Sequence, residues 1–127
     1  MNSKLVISGW IISIVTIVYL SLTPRIEFPI GFKCADLFYH AATYLWLSFL
    51  PFFGFDKIKK AALAACMMIP LGAGLEIGQG YIPGRFASMM DMVANTSGVV
   101  IGMMLGLFFL RKIQGKSKGQ VPINLDE

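Results

Sequence analysis

Charge is scarce in this chain. Asp, Glu, Lys and Arg make up 14% of its 127 residues, where soluble domains carry about a quarter. With 56% hydrophobic residues and a mean hydropathy of +0.69, that shortage excludes an ordinary water-soluble domain and places the chain in the membrane class. No basic stretch is interleaved with aromatics. The net charge of +4 therefore does not read as nucleic-acid binding; much of it sits in short flanks beside apolar runs, where it carries topology. No A-x-A-like site follows the first apolar run, which is longer than the roughly 7–15 residues of a signal peptide's core, so it reads as a retained span. Only two cysteines are present, Cys34 and Cys66. They fall toward opposite ends of different helices, whereas a disulfide needs Cα atoms within about 7 Å, so no bridge is expected. No Ser or Cys stands beside an obvious base, which argues against an acyl-enzyme. There is no long-period repeat. The eight methionines read as packing and lipid contact.

What the chain does have is four apolar runs, at about residues 5–22, 37–55, 61–80 and 88–110. Each approaches the roughly 20 residues that a spanning helix needs. The expected fold is all-α, a four-transmembrane-helix bundle forming a single domain over residues 1–111. Residues 112–127 read as a polar cytoplasmic tail without fixed structure. Thr23-Pro24 ends the first run, because a residue before proline is pushed out of the helical region. The connection that follows carries Arg25, Glu27, Pro29 and Lys33. Asp36 suits the dipole at the start of the second helix. Pro70 predicts a kink in the third, and Ser88 is a suitable cap for the fourth. In the fourth run, Ala94, Gly98, Gly102 and Gly106 form a small-residue stripe that lets another backbone come close. Packing within the bundle is one use of that face; a homo-oligomer through Gly98, Gly102 and Gly106 is the other. Eight Lys and Arg residues flank the N-terminus, the second connection and the C-terminus, against three in the other two connections. The positive-inside rule then places both termini in the cytoplasm.

That topology has a chemical consequence. Asp36 and His40 open the second helix, Glu76 and Gln79 close the third, and Asp91 and Asn95 open the fourth. At about 1.5 Å of rise per residue, all six lie within about 10–12 Å of one membrane face, the outer one. Each pair is spaced i, i+4 or i, i+3 and so shares a helix face; Tyr44 extends the face of Asp36 and His40 by another turn. Arg85 lies in the tight connection between two of these helices. A charge near the bilayer core costs about 2.5–3.5 kcal/mol on insertion scales, so such residues face a protein interior or a watery cavity. With His40 neutral, three carboxylates against Arg85 leave an excess of two negative charges. In low dielectric, either a carboxyl takes up a proton or a cation enters. One imidazole and three carboxylates suit a divalent metal such as Mn, Zn or Mg; an exchangeable proton is the other reading.

These residues resemble the VanZ-like family of small multi-pass bacterial membrane proteins. The resemblance runs from about Ser21 to Gly106. It rests on Asp36-x3-His40-x3-Tyr44, then on Glu76-x2-Gln79, Pro83, Arg85, Ser88 and Asp91-x3-Asn95-x2-Gly98-x3-Gly102. Where the family often has Lys after the helix 2 Asp, this chain has Leu37. The resemblance implies a four-helix protein of the bacterial cytoplasmic membrane with a link to envelope physiology; the namesake is associated with teicoplanin resistance.

Three functions compete. The first is binding of, or catalysis on, an anionic envelope lipid or lipid-linked cell-wall intermediate. Arg85 would hold the anionic group. His40, oriented by Asp36, would be acid or base, and Glu76 or Asp91 a second acid/base or a cation ligand. Gln79, Asn95, Tyr44 and Ser88 would orient partners. The second is a proton- or cation-coupled small transporter. The third is a non-catalytic membrane interaction protein whose polar cluster fixes helix register.

Overall fold

A computed structural model describes residues 2–24 and 34–118. The connection bearing Arg25, Glu27, Pro29 and Lys33, and the tail beyond residue 118, lie outside the described residues. Six helical segments follow one another: α1 (Ser3–Leu22), α2 (Ala35–Phe49), α3 (Pro51–Gly54), α4 (Ile58–Cys66), α5 (Met68–Gln79) and α6 (Met89–Lys118). No strand occurs among the described residues. Three stretches, Ser3–Leu22, Ile58–Gln79 and Met89–Lys116, are long and apolar enough to cross a membrane. The chain is a helical membrane protein.

Prolines set the breaks. Pro51 starts α3, and Leu50 before it keeps helical angles, so α2 and α3 run on as one rod with a discontinuity. Pro70 lacks the N–H that would bond the Cys66 carbonyl, and its ring crowds that same group. The boundary between α4 and α5 falls there, at Met67. The helix is interrupted there, one turn ahead of the proline where a kink was expected. At the other end of the chain, α6 continues through Lys118, so residues 112–118 are helical, contrary to the expected loose tail. Arg111, Lys112 and Lys116 complement the negative end of the helix dipole.

One contact organises the bundle. Asp91, Asn95, Gly98, Gly102 and Gly106 recur every three or four residues and so form a single stripe along α6. The glycine part of that stripe takes α2 and α3 at backbone distance. A Cβ added at Gly98 would land on the Ala41 carbonyl, one at Gly102 on the Leu45 carbonyl, and one at Gly106 on the Phe52 ring. The stripe is thus covered within one chain and is not a free face for a second copy. Around it, Tyr44, Leu47, Met68 and Val99 form one buried cluster, and Phe52, Ala61 and Ala65 another.

Helix α1 is different. It has no buried residue and lies against the outside of the bundle. It is held by polar latches. Because Pro51 has no N–H, the Leu47 carbonyl four residues earlier loses its helical donor. The Trp10 indole N–H donates to it instead, at 2.7 Å. Trp10→Phe leaves that carbonyl bare in an apolar setting. We expect a loss of about 1–3 kcal/mol, read by thermal unfolding in detergent; an unchanged melting temperature would show that the latch contributes nothing. Four hydroxyls inside the helices are satisfied by their own backbone: Ser13, Thr16, Thr96 and Ser97 each donate to the carbonyl four residues back. Between α3 and α4, exposed Asp56 accepts a hydrogen bond from Lys60 at 3.1 Å. That bond is the main cause holding its carboxyl below its ordinary value. The small contribution of this surface pair is present at neutral pH and fades as pH falls through the lowered value.

Candidate functional site

The site lies where α1 ends, α2 begins, α5 ends and α6 begins. Its frame is a tight turn. Pro83 and Gly84 (φ +80°) occupy the centre of a turn closed by the Arg85 N–H donating to the Ile82 carbonyl at 3.1 Å. Pro at the second position and a positive-φ Gly at the third are the requirements of a type II turn. This brings the end of α5 directly back to the start of α6. Ser88 then caps α6: its hydroxyl accepts from the Asp91 N–H at 3.3 Å. In an ordinary capping box the acid three residues on would reach back to the cap's own N–H. Here that N–H donates to Glu76 Oε2 of α5, at 3.2 Å. Asp91 is left to turn elsewhere, and its Oδ2 lies 3.7 Å from His40 Nε2.

His40 is the hub. Its Nδ1 lies 3.0 Å from Asn95 Oδ1 and 3.7 Å from Glu76 Oε1. Asn95 and Glu76 are almost fully buried, at 4% and 1% exposure. The side chains of His40 and Asp91 keep 23% and 18%, so the imidazole and Asp91 form the accessible edge of the cluster. Donor atoms of His40, Glu76 and Asp91 all lie within 4.8 Å of one another. Three helices that share only a depth in the sequence therefore meet at one imidazole.

Beside the cluster is a cavity of about 150 Å³, lined by Ile17, Leu20, Ser21, Tyr39, His40, Thr43, Tyr44, Gln79 and Arg85. A second, more open space of about 420 Å³ lies between α1 and α2. It shares Ile17 and Thr43 with the first and adds Ile12, Ser13, Thr16, Ala42 and Trp46. The hydroxyls of Ser13 and Thr16 donate to their own helix, so this wall is largely apolar.

His40, Glu76, Asp91, Asn95 and Ser88 form one bonded cluster, and Tyr44, Gln79 and Arg85 line the adjoining cavity. Asp36 takes a different place. It is exposed, one turn before His40, and the side chain that bonds His40 Nδ1 is Asn95. Arg85 also differs from its expected role. Its Nε donates to the Thr23 carbonyl at 2.8 Å and its Nη2 to the Leu20 carbonyl at 3.0 Å. The guanidinium closes the C-terminal end of α1, where carbonyls lack helical partners and the dipole is negative. Sequence reasoning missed Tyr39, Thr43 and Ser21. The first two lie at i, i+4 on α2, next to His40 and Tyr44, and that spacing was the available signal.

No family model matches the chain, and no solved structure is similar to it. An uncharacterized protein of the fission yeast Schizosaccharomyces pombe is 24% identical over 131 residues. The similarity spans 98% of this chain and 78% of that protein.

Proposed function

We propose that the protein binds the anionic head group of a membrane lipid in the cavity beside His40, with an acyl chain in the groove between α1 and α2, and that His40 acts on the bound group as acid or base. In this reading α2 with α3 is a fourth span, since 20 helical residues reach about 30 Å. Both termini are cytoplasmic and the cavity opens toward the outer leaflet. The block from Glu76 to Gly102, on which much of the resemblance to the VanZ-like family rests, supplies Gln79 and Arg85 to the cavity wall and Glu76, Asp91 and Asn95 to the cluster around His40. The carrying observation is the adjacency of the two spaces. A cavity with His40, Gln79 and Arg85 in its wall shares Ile17 and Thr43 with a more apolar groove, an arrangement that suits a head group with its tail. The fungal relative favours a phosphate-bearing lipid, a ligand common to both kinds of cell, over a bacterial wall intermediate.

The test is electron paramagnetic resonance in proteoliposomes with spin-labelled phosphatidylglycerol and phosphatidylcholine. The anionic lipid should show a larger motion-restricted fraction. Ala42→Trp, which fills the groove from an exposed position, should abolish the excess, and so should His40→Ala. Equal fractions for the two lipids would sink the proposal. Head-group turnover in the same vesicles that vanishes in His40→Ala would establish catalysis. Substrate-dependent ion flux without turnover would turn the reading to the cation-coupled transporter.

A further inference from the structure

Asn95 decides more than the orientation of His40. Its carbonyl oxygen accepts only if Nδ1 carries the ring proton (at 3.0 Å the pair is a good hydrogen bond), and in a neutral imidazole the lone pair then lies on Nε2. That lone pair faces Asp91 Oδ2 at 3.7 Å. Two electron-rich atoms at this separation repel unless something positive lies between them. The Glu76 carboxylate, one of whose oxygens is tied to the Ser88 N–H, stands 3.7 Å from Nδ1 of the same ring, and one ligand atom from each of the three residues lies within 4.8 Å of the others. Two carboxylates and a neutral imidazole carry two negative charges in a nearly buried setting, and the guanidinium of Arg85 is directed to the carbonyls of α1.

We propose that His40 Nε2, Glu76 and Asp91 hold a divalent transition-metal ion of the zinc or manganese class, with one coordination position open to the cavity. Metal–ligand distances near 2.0–2.2 Å place two ligands of one ion about 3–4 Å apart, which the separation of His40 and Asp91 meets. The three donor separations are no more than 4.8 Å, so closing the widest pair on an ion needs a side-chain shift of about 1 Å. An imidazole whose other nitrogen is held by a carbonyl-type acceptor is the usual outer-shell arrangement of a metal histidine. Mixed nitrogen and carboxylate donors favour zinc, manganese or iron over magnesium or calcium, which take oxygen alone. Three protein ligands with a fourth position free describe a catalytic rather than a structural centre. His40 also lines the cavity, where an anionic oxygen would be the natural fourth ligand. The metal site does not depend on the identity of any lipid.

The experiment uses the full chain, purified in detergent without chelator and without added lipid. It is equilibrated with zinc or manganese, desalted, and assayed by elemental mass spectrometry; cobalt absorption serves as a second readout. One ion per chain is expected. Asp91→Asn and His40→Ala should each weaken binding about tenfold or more, and Asn95→Ala should do so through the ring it holds. Asp56→Asn, a surface change far along the chain, should bind like the parent. Thermal melting of each variant separates lost ligation from lost fold, and added metal should raise the melting temperature of the parent but not of Asp91→Asn. Absence of stoichiometric metal, or metal retained by both Asp91→Asn and His40→Ala, would overturn the inference. Selective lipid retention in chelated protein would then leave the lipid reading standing without the metal.

Discussion

Replacing Gly98 by Ala is expected to unfold or severely loosen the protein, although it adds one methyl group. The new Cβ meets the Ala41 carbonyl oxygen head on, and lies 3.0 Å from both the Ala41 carbonyl carbon and the Leu45 nitrogen. These are backbone atoms of α2, which cannot rotate aside as a side chain would. Helices α2 and α6 must separate along the face that packs Tyr44, Leu47 and Val99. Overpacking of a tight core costs about 1–3 kcal/mol, and a clash against backbone belongs at or above the top of that range. Against a total stability of about 5–15 kcal/mol that is a large fraction. Gly74→Ala supplies the contrast. Nothing lies within 4 Å of its added Cβ, and Ala is the better helix former by up to about 1 kcal/mol, so this variant should melt at or above the parent temperature. Chemically identical changes thus have opposite expected signs. Equal melting temperatures in detergent for the two variants would refute the account of α2 on α6. Gly98→Ala should also abolish metal and lipid binding, because His40 and Asn95 are carried by the same two helices, one turn away.

The second large effect is expected at Arg85. Its two hydrogen bonds to the Thr23 and Leu20 carbonyls are charge-assisted, each worth about 1.5–3 kcal/mol. They hold a helix that buries no residue of its own. Arg85→Ala should therefore release the end of α1, with amide hydrogen exchange accelerating over its last turns while α6 stays protected. Arg85→Lys keeps the charge but loses the planar fork that spans both carbonyls, so it should lie between parent and Ala. The cavity shares its wall between α1, α2 and Arg85, so lipid selectivity should fall in step with α1 protection. Loss of selectivity with α1 protection unchanged would make Arg85 a direct ligand rather than the latch of α1.

The resemblance between expectation and structure is uneven, for reasons that can be located. The polar faces of α2, α5 and α6 were legible because i, i+4 spacing is a local property of a helix. The end of α1 at Thr23-Pro24 and the cap at Ser88 were legible for the same reason. The partner of His40 was not. Asp36 was the nearest acid along the chain, but it is Asn95, 55 residues away, that bonds the ring, because the glycines of α6 draw α2 onto it. The role of Arg85 was hidden too. Its partners are backbone carbonyls, which carry no residue-type signal, and they are left open only because α1 ends there. The extension of α6 to Lys118 reflects a helix that already exists. Once nucleated by packing, it propagates through polar residues until a breaker.

Local chemistry alone determined that this chain is a set of apolar helices with the ionisable groups of its apolar runs placed near helix ends, since hydrophobic length and helical periodicity are written within single segments. Tertiary structure decided which of those groups meet. That choice depends on how closely two helices can approach, and the approach is set by missing Cβ atoms whose effect exists only once a second backbone is laid against them.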